Sequence, residues 1–519
     1  MTPVAITLTI LVLAVIAFVS NRISMGVVAL GVAILLWASG VLTLNQALAG
    51  FGDPTVIFIA ALFIVSEALD ATGVTAWAGQ QVISRGGTKR TPLLVVIGLL
   101  VAVLTALISV NGAVAALIPV VVVVAIRSRL APSQLLMPLA FSAHAGSMLA
   151  LTGTPVNIIV SEAAADAGAR PFGFFEFALA GLPLLAGTLL IIVLLGNRVL
   201  PTREPTVLSS DVSALAKVLR LQYQLPDSTD LVGVTNGITE VVIPPRSELI
   251  GEHFFTGMTT PSGSLVVLGV QRAGGDVTGE DARLQAGDTL LLRGTWDDLE
   301  HHTSGPEVLV VDEPATLRRA VPLGAGAKRA IGILAAMVVL LATGVVPPAI
   351  AGLLAACAVV VTKVLTPYQA YRSVSWTTVV LVGGMIPLST ASSTTGTAQL
   401  VAQGVLNLVG NATPYLGLLV MCVLAVVLGQ LISNTATVLI MVPIATVLAT
   451  DLHVSVLPFL MALTVVGAAS FLTPVATAAN TMVMEPGGYR FTDYWKLGLP
   501  LLLLFVVVGV FWVPLIWPF

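Results

Sequence analysis

Four short polar runs interrupt long apolar segments of this chain, and they hold the residues best suited to bind an ion. Two are Ser109–Gly112 and Ser433–Thr435, and the others are Thr152–Asn157 and Thr473–Asn480. Hydroxyl, amide and carbonyl oxygens are hard ligands that suit Na⁺, whereas Asn and Thr side chains can also donate hydrogen bonds to an anion. The residue types therefore predict a site for a hard cation, an anion or both.

Such runs have a structural cost inside a membrane. An unpaired backbone group costs several kcal/mol in hydrocarbon, so a helix broken at this depth persists only where protein, water or a ligand satisfies its freed ends. Half-helix N-termini suit anions, and unwound carbonyls suit Na⁺ or H⁺. Ordinary packing of small residues between membrane helices is the alternative. Four breaks at related places favour binding.

The composition makes a bilayer the main solvent. Only 9% of the 519 residues are charged and 57% are hydrophobic, whereas soluble domains have about a quarter charged. We read the first apolar segment as a retained span because no basic signal-peptide region precedes it. Segments near the length that crosses a bilayer fall at 4–20, 24–43, 54–70, 91–126, 134–166, 174–197, 330–343, 347–365, 377–392, 415–450, 454–485 and 497–517.

One stretch differs from this apolar background. The stretch from Arg203 to Leu317 holds 17 of the 26 acidic residues but only 7 of the 23 basic ones. We therefore predict three parts: a membrane repeat at 1–200, a water-soluble insert at 201–325 and a second membrane repeat at 326–519.

The two hydrophobic parts look like copies of each other. Residues match at a constant offset of 323 positions, and two of the matches are the Asn residues at the breaks. The matched pairs are Gln46-Ala47 with Gln369-Ala370, Thr72-Gly73 with Thr395-Gly396, Asn111 with Asn434, and Asn157 with Asn480.

Loop charges indicate that the copies have opposite orientations. The first repeat carries basic loops near 85–90 and 127–129, whereas 373–489 has no Lys or Arg. Conversely, Lys363 and Arg372 stand where the first repeat has uncharged residues. Because Lys and Arg stay on the cytoplasmic side, we predict inverted repeats with re-entrant hairpins at 91–126 and 415–450. The insert is then cytoplasmic, both termini are outside, and Arg170 is the one basic exception.

The second hairpin resembles a known family. Ser433-Asn434-Thr435 and the following Ala-Thr-Val-Leu-Ile-Met-Val-Pro443 resemble the hairpin of the divalent anion:sodium symporters. The segments around Thr152–Asn157 and from Phe471 to Phe491 resemble the two broken helices of that family. The resemblance implies an all-α membrane fold, elevator-type movement, a homodimer, two Na⁺ sites at the hairpin tips, and a small anionic substrate such as sulfate or a di- or tricarboxylate.

Site residues follow from the same resemblance. The sequence departs from the family pattern at one position: Gly112 follows Asn111 where the family has Thr. This favours a smaller anion such as sulfate, or another substrate altogether. The expected substrate ligands are Asn111, Gly112, Asn157, Asn434, Thr435, Thr473, Pro474 and Asn480, and the expected Na⁺ ligands are Ser109, Asn111, Gly153, Thr154, Ser433 and Asn434.

Ionisable residues at membrane depth are a further set of candidates, since they are costly there. They are Glu67, Asp70, His144 and Glu162. The alternative for Glu67 is an interfacial or interhelical hydrogen bond, and the alternative for His144 is a buried histidine that serves packing and has its hydrogen bonds satisfied. The two cysteines lie in apolar runs without metal-ligand spacing, so they predict neither a disulfide nor a zinc site.

The insert contains short β-like runs at Ile238–Ile243, Ser264–Val270 and Thr289–Leu292, which predict a small α/β domain. The stretch from Val241 to Gly251 resembles the TrkA-C-like half of potassium-conductance regulators. This implies a regulatory domain that binds a small ligand, such as a nucleotide, or a dimerisation module without one. The insert has no Gly-x-Gly-x-x-Gly loop and no catalytic His/Asp/Ser set.

These observations predict a multi-pass transporter of the cell inner (plasma) membrane, with no enzymatic activity and no nucleic-acid partner. The main hypothesis is Na⁺-coupled symport of a divalent anion, regulated by the insert. A proton-coupled carrier or an anion exchanger is the alternative. A ligand-gated channel is disfavoured because the sequence shows no pore loop resembling a potassium filter.

Overall fold

A computed structural model describes most of the chain. The described residues are 2–20, 22–78, 89–203, 219, 222–223, 233, 236–272, 275–277, 283–311, 313–319, 323–324, 326–409, 413–474 and 476–519. They divide into two compact units, one made of 1–67, 81–208 and 332–519 and the other of 68–80 and 209–331.

Helices account for nearly all of the first repeat. Apolar runs without charged residues favour them, and Ser or Thr begins several of them as an N-cap. Their bounds are Pro3–Ser20, Met25–Ala38, Leu44–Leu48, Pro54–Ala71, Arg90–Leu107, Val110–Arg127, Leu136–Gly146, Pro155–Asp166 and Ala178–Val199.

The second repeat follows the same order. Its helices are Ala327–Thr343, Pro348–Val361, Pro367–Ser373, Trp376–Thr395, Thr397–Val409, Pro414–Leu431, Asn434–Asp451, Val456–Gly467, Ala478–Met484 and Tyr494–Val507, with a π-helical turn at Val508–Trp512 and a last turn at Val513–Ile516. One of them, Thr397–Val409, was missed by the sequence analysis, because the glutamines and asparagine along it interrupt the apolar run.

Both long apolar segments are helical hairpins, as predicted. Hairpin 1 consists of Arg90–Leu107 and Val110–Arg127, and hairpin 2 consists of Pro414–Leu431 and Asn434–Asp451. Each turns over two residues at the predicted polar interruption, and a serine begins the second arm of each. The polar residues therefore lie at the hairpin tips.

The two other interrupted segments are broken helices. Broken helix 1 consists of Leu136–Gly146 and Pro155–Asp166, and broken helix 2 consists of Val456–Gly467 and Ala478–Met484. The residues between the halves are called break 1 (147–154) and break 2 (468–477). Break 1 contains one short 3₁₀ turn, Leu151–Gly153.

Local structure explains why the repeats match at a constant offset. Thr43 and Gln46 form a capping box at the start of one short helix, and Thr366 and Gln369 form the same box in the other repeat. Gly73 and Gly396 both have positive φ, at 67° and 84°, a conformation that favours glycine. The matched residues are thus helix starts and stops.

The second unit contains a five-stranded antiparallel sheet in the order β3-β2-β4-β1-β5. Its strands are β1 Asn236–Val242, β2 Val266–Arg272, β3 Gly275–Asp276, β4 Thr289–Thr295 and β5 Leu309–Val310, with helices Trp296–Thr303 and Pro314–Arg319. One face buries Val241, Val267, Leu292 and Trp296 in a common apolar core. The three predicted β-runs are therefore strands of one sheet.

Membrane spans are defined by length and apolarity. Within the described residues seven helices meet both conditions, and the pair Pro367–Ser373 and Trp376–Thr395, bent by 56°, adds an eighth. The predicted fold class is confirmed: a helical membrane protein of two repeats with hairpins and broken helices, plus a small α/β insert.

Candidate ion and anion site

The two breaks are closed by the same hydrogen bonds. Asn157 Nδ2 donates to the carbonyls of Ser147 and Ala150, at 2.9 and 2.8 Å. Asn480 Nδ2 donates to the carbonyls of Ser470 and Thr473, at 2.7 and 3.2 Å. All three residues of one set are offset by 323 positions from those of the other. Each asparagine therefore clamps the unwound backbone that precedes its helix.

The clamp leaves one atom of each asparagine unused. Both partners of each amide nitrogen are carbonyls, which only accept, so the NH₂ group must face them and the Oδ1 atom must point away. Asn157 and Asn480 are fully buried, and neither Oδ1 has a hydrogen bond of normal geometry among the described residues, although the His144 ring lies beside the Asn480 side chain. An unsatisfied buried acceptor costs about 1–3 kcal/mol. Two such oxygens at equivalent places fit a bound cation.

The two hairpin tips have the same serine cap, but the residue after the tip asparagine differs. Ser109 Oγ accepts from the backbone N–H of Gly112 at 3.2 Å, and Ser433 Oγ accepts from that of Ala436 at 3.3 Å. The residue after the tip asparagine is Gly112 in hairpin 1 and Thr435 in hairpin 2. Hairpin 2 therefore has a hydroxyl that hairpin 1 lacks.

Each tip is bonded to the break of its own repeat. Thr152 Oγ1 donates to the Ala106 carbonyl at 2.7 Å, and Ser470 Oγ donates to the equivalent Gly429 carbonyl at 3.4 Å. The single hydroxyl hydrogen of Ser470 is shared between this carbonyl and Asn434 Oδ1, which is the closer of the two acceptors. Gln430 adds two bonds in repeat 2, to the Ala469 carbonyl and from the Leu472 N–H. Tip and break therefore form one connected polar region in each repeat.

The repeats also exchange contacts. The second half of broken helix 1 packs on hairpin 2 and on the first half of broken helix 2. In the same way, the second half of broken helix 2 packs on hairpin 1 and on the first half of broken helix 1. The contacts are thus reciprocal between the repeats, as a pseudo-twofold relation requires, and they join the broken helices of the two repeats.

Three further positions distinguish the two breaks. Gly153 of break 1 corresponds to Ala476, and a Cβ at Gly153 would lie 2.2 Å from the Ser147 carbonyl oxygen. Ala150 corresponds to Thr473, whose buried Oγ1 has no partner among the described residues. His144 corresponds to Gly467.

Most of the predicted site residues therefore lie at the tips and breaks. Thr154 begins the second half of broken helix 1 and accepts from the Val156 N–H at 3.4 Å, and the Pro474 carbonyl accepts from Thr481 Oγ1 at 2.7 Å. Sequence reasoning missed Ser147, Ser470 and Thr477. Ser147 and Ser470 share the 323-residue offset, and this signal could have found them.

The other charged candidates lie on helices of repeat 1. Glu162 is on the second half of broken helix 1, where Asp166 and Asp53 are its electrostatic neighbours. Glu67 and Asp70 end the helix Pro54–Ala71, and each interacts with another residue. In the described part of the chain, no three His, Cys, Asp or Glu side chains form a group that could hold a metal.

Ion pairs fix the loops that follow the broken helices. Arg170 pairs with Glu176 at 2.6 Å, and Arg203 pairs with Asp493 at 2.7 Å. Burial alone would raise the pKa of Glu176, but hydrogen bonds from Arg170, the Gly173 N–H and Trp517 hold that pKa below its usual value. Asp493 occupies the position of Arg170 at the 323-residue offset, so the loops use different pairs.

Comparisons with known proteins agree with this architecture. A model of the citrate transporter family, CitMHS, matches residues 15–466 and 409–519. An uncharacterized transporter of Escherichia coli K12, YfbS, is 30% identical over 99% of this chain and 99% of its own. Probable sodium/sulfate cotransporter 3 of Chlamydomonas reinhardtii is 25% identical over 59% of this chain and 35% of its own.

A solved structure resembles the whole chain. The Alcanivorax borkumensis YdaH transporter superposes with a TM-score of 0.52 and 13% identity, covering 97% of this chain and 99% of that one. At this identity the likeness concerns the fold. The fold and the matches together define a multi-pass membrane transporter. The chain belongs to the citrate transporter family, which confirms the predicted resemblance at the level of citrate and sodium/sulfate transporters.

Proposed function

We propose that this protein couples the movement of Na⁺ to the transport of a divalent anion, either sulfate or a di- or tricarboxylate. The observation that carries the proposal is the pair of buried, unpartnered oxygens of Asn157 and Asn480 at equivalent places in the two breaks. Transport itself follows from the family, and the coupling ion and the substrate are the proposed parts.

The cation part of the proposal rests on the donor set. Each Oδ1 lies on a side chain whose NH₂ group is held by break carbonyls, so the bonds of the break fix the orientation of the free oxygen. Hard oxygen atoms without a charged partner suit Na⁺. The predicted ligands Gly153 and Thr154 belong to break 1, and Ser433 and Asn434 belong to the tip bonded to break 2.

The anion part rests on the hairpin tips. Asn111 Nδ2 and Asn434 Nδ2 donate to no other residue in the described ranges, so both donors are available to substrate oxygens. Thr435 adds a hydroxyl in repeat 2 only. No Lys or Arg falls within a predicted span interior, so bound Na⁺ and backbone dipoles must balance the anion's charge. Asymmetric donors favour a small anion such as sulfate.

Names of relatives support the same substrate class. Sodium/sulfate cotransporters 2 and 3 of Chlamydomonas reinhardtii match 59% of this chain, at 23% and 25% identity. Alternating access of elevator type is the proposed movement, since hairpins and broken helices pack on one another as a unit. We propose that the protein is a homodimer in the cell inner membrane, as the family resemblance implies.

A proton-coupled carrier is the second candidate. One observation favours it: the buried His144 ring lies at break 2, and imidazole is the side chain that most readily carries a proton near neutral pH. The two candidates differ in which gradient drives uptake.

The insert is proposed to be a cytoplasmic regulatory domain of the TrkA-C-like type that binds a small ligand such as a nucleotide. Its antiparallel sheet and its apolar core support a folded domain. Calorimetry of the full-length protein with candidate nucleotides tests for the ligand, and absence of any heat of binding would favour a purely structural module.

Uptake into proteoliposomes tests the main proposal. We expect radiolabelled sulfate, succinate or citrate to accumulate under an inward Na⁺ gradient and not under an inward proton gradient alone. Asn434→Ala should abolish uptake while the purified protein stays monodisperse. Accumulation of none of the three anions under a Na⁺ gradient would contradict the proposal, and accumulation under the proton gradient would select the second candidate.

A further inference from the structure

His144 is the one histidine buried within the packed core of the broken helices. It lies near the end of the first half of broken helix 1, and its side chain is 2% exposed. The equivalent residue of the second repeat is Gly467, which has no side chain beyond hydrogen. The pseudo-twofold relation between the repeats is therefore broken at this position.

The His144 ring crosses from repeat 1 to the break of repeat 2. Its Nε2 lies 3.2 Å from Thr477 Oγ1, and its ring meets Phe471 edge to face, with centroids 5.7 Å apart. The ring also interacts with the Asn480 side chain, although no hydrogen bond of normal geometry joins the two. All three contacts are with break 2 or with the first turn that follows it.

Thr477 transmits this contact to the amide clamp. Its Oγ1 accepts from the Asn480 backbone N–H at 3.3 Å, so it fixes the start of the helix that carries Asn480. Either tautomer of His144 can bond to the Thr477 hydroxyl, as donor or as acceptor. A buried imidazole without such a bond would be costly, so the link fixes both partners.

Break 1 lacks this support and is held in another way. A Cβ built on Gly467 would lie 2.9 Å from Val438 Cγ2 of hairpin 2 and 3.8 Å from Val156 Cγ1, so this position has no room for a side chain like that of His144. Break 1 is instead closed by backbone contact, because Gly153 lies so close to the Ser147 carbonyl that no side chain fits between them. Besides the bonds that each break makes within its own repeat, break 2 thus has a side-chain contact from the other repeat, whereas break 1 has a close backbone contact at Gly153.

We propose that His144 is a positioning residue for the repeat 2 half of the transport site: it holds Thr477, and through Thr477 it keeps the Asn480 carboxamide oxygen in place for a cation. The contact between His144 and Thr477 is observed in the structure. Its consequence for cation affinity rests on the proposed function. Gly467, the residue of repeat 2 equivalent to His144, has no side chain that could support break 1 in the same way.

The test compares three variants of the full-length protein: His144→Gln, which keeps a polar group near the Nε2 position, His144→Leu, which fills the space without one, and His301→Leu as an exposed control. Hydrogen exchange of peptides covering 468–485 should be about tenfold faster in His144→Leu than in wild type, as expected for loss of one buried hydrogen bond. Peptides covering 147–166 should be unchanged. His144→Gln should stay within about threefold of wild type.

Uptake kinetics test the effect of His144 on transport. With the anion that wild-type vesicles transport, His144→Leu should raise the KM for Na⁺ about tenfold while kcat changes less, and His144→Gln should restore the KM. Thr477→Val removes the same bond from the other side, so adding His144→Leu to it should raise the KM no further.

Two results would overturn the proposal. One is unchanged exchange at 468–485 in His144→Leu, and the other is a His144→Gln variant as impaired as His144→Leu, which would mean that only the shape of the ring matters. If wild-type vesicles transport none of the three anions, the proposed function fails, while the exchange data still decide whether His144 holds break 2.

Discussion

Break 1 and break 2 have the same hydrogen-bonded clamp and similar bonds to their hairpins, but they differ at Gly153 and at His144. Asn157 and Asn480 bind the equivalent backbone carbonyls of their repeats. Break 1 is closed by the close approach of Gly153 to Ser147, whereas break 2 has alanine at that position and depends on His144. The asparagine clamp, which both breaks share, is expected to bind the ion. The contacts of Gly153 and His144, which differ, are expected to set how firmly each break is held.

The largest expected effect comes from removing the clamps. Asn157→Ala and Asn480→Ala each leave two break carbonyls without their donor and remove one cation ligand. We expect each to lower Na⁺-driven uptake about 100-fold, equivalent to about 3 kcal/mol. Initial uptake rates in proteoliposomes check this, with Asn236→Ala in the insert as the control. If only one variant is impaired, the two clamps do not have equal roles.

A smaller effect is expected from exchanging Gly153 and Ala476, which are equivalent positions that differ between the two breaks. Gly153→Ala must displace the Ser147 carbonyl, because its Cβ would lie 2.2 Å from that oxygen. Overpacking of this kind costs about 1–3 kcal/mol, so we expect a lower melting temperature in detergent and reduced uptake. The reciprocal Ala476→Gly should change both by much less. Equal effects of the two would contradict the difference in closure.

The hairpin tips test the asymmetry of the anion donors. Gly112→Thr gives hairpin 1 the hydroxyl of Thr435, and we expect a change of up to about tenfold in the preference between sulfate and succinate. Competition of each unlabelled anion against the labelled substrate measures it. Thr435→Gly should shift the preference in the opposite direction. A preference that neither variant alters would place the anion away from the tips.

The smallest effect concerns the loop that follows broken helix 1. Since the pKa of Glu176 is held below its usual value in the folded protein, its charged form stabilises that state above the unfolded pKa, about 4.3. This contribution is lost as pH falls through the folded pKa. Glu176→Gln should therefore lower the melting temperature by a few degrees at pH 7 and by less near pH 3. A difference that persists at pH 3 would show that charge is not its source.

Much of this architecture was predictable because it depends on local signals. The tips were found from polar residues inside apolar runs, and Ser109 and Ser433 are the N-caps that such runs require. The repeat was found from its offset, since helix starts and stops recur at fixed spacing. The helix Thr397–Val409 was missed because its polar residues obscure its apolar face.

The interior of the site was not predictable in the same way. His144 and Thr477 are 333 residues apart, and no periodicity links them. The unwound backbone of each break has no repeating pattern, so sequence does not indicate which carbonyls Asn157 binds. Asn157 stays a predicted substrate ligand, but only through its oxygen, because its NH₂ group is bonded to the carbonyls of Ser147 and Ala150.

The central claim is that each clamp provides one cation ligand, and binding of ²²Na⁺ to the purified protein tests it most directly. We predict two Na⁺ ions per chain in wild type, one in Asn157→Ala, one in Asn480→Ala and none in the double variant. An unchanged number of bound ions in both single variants would contradict the account.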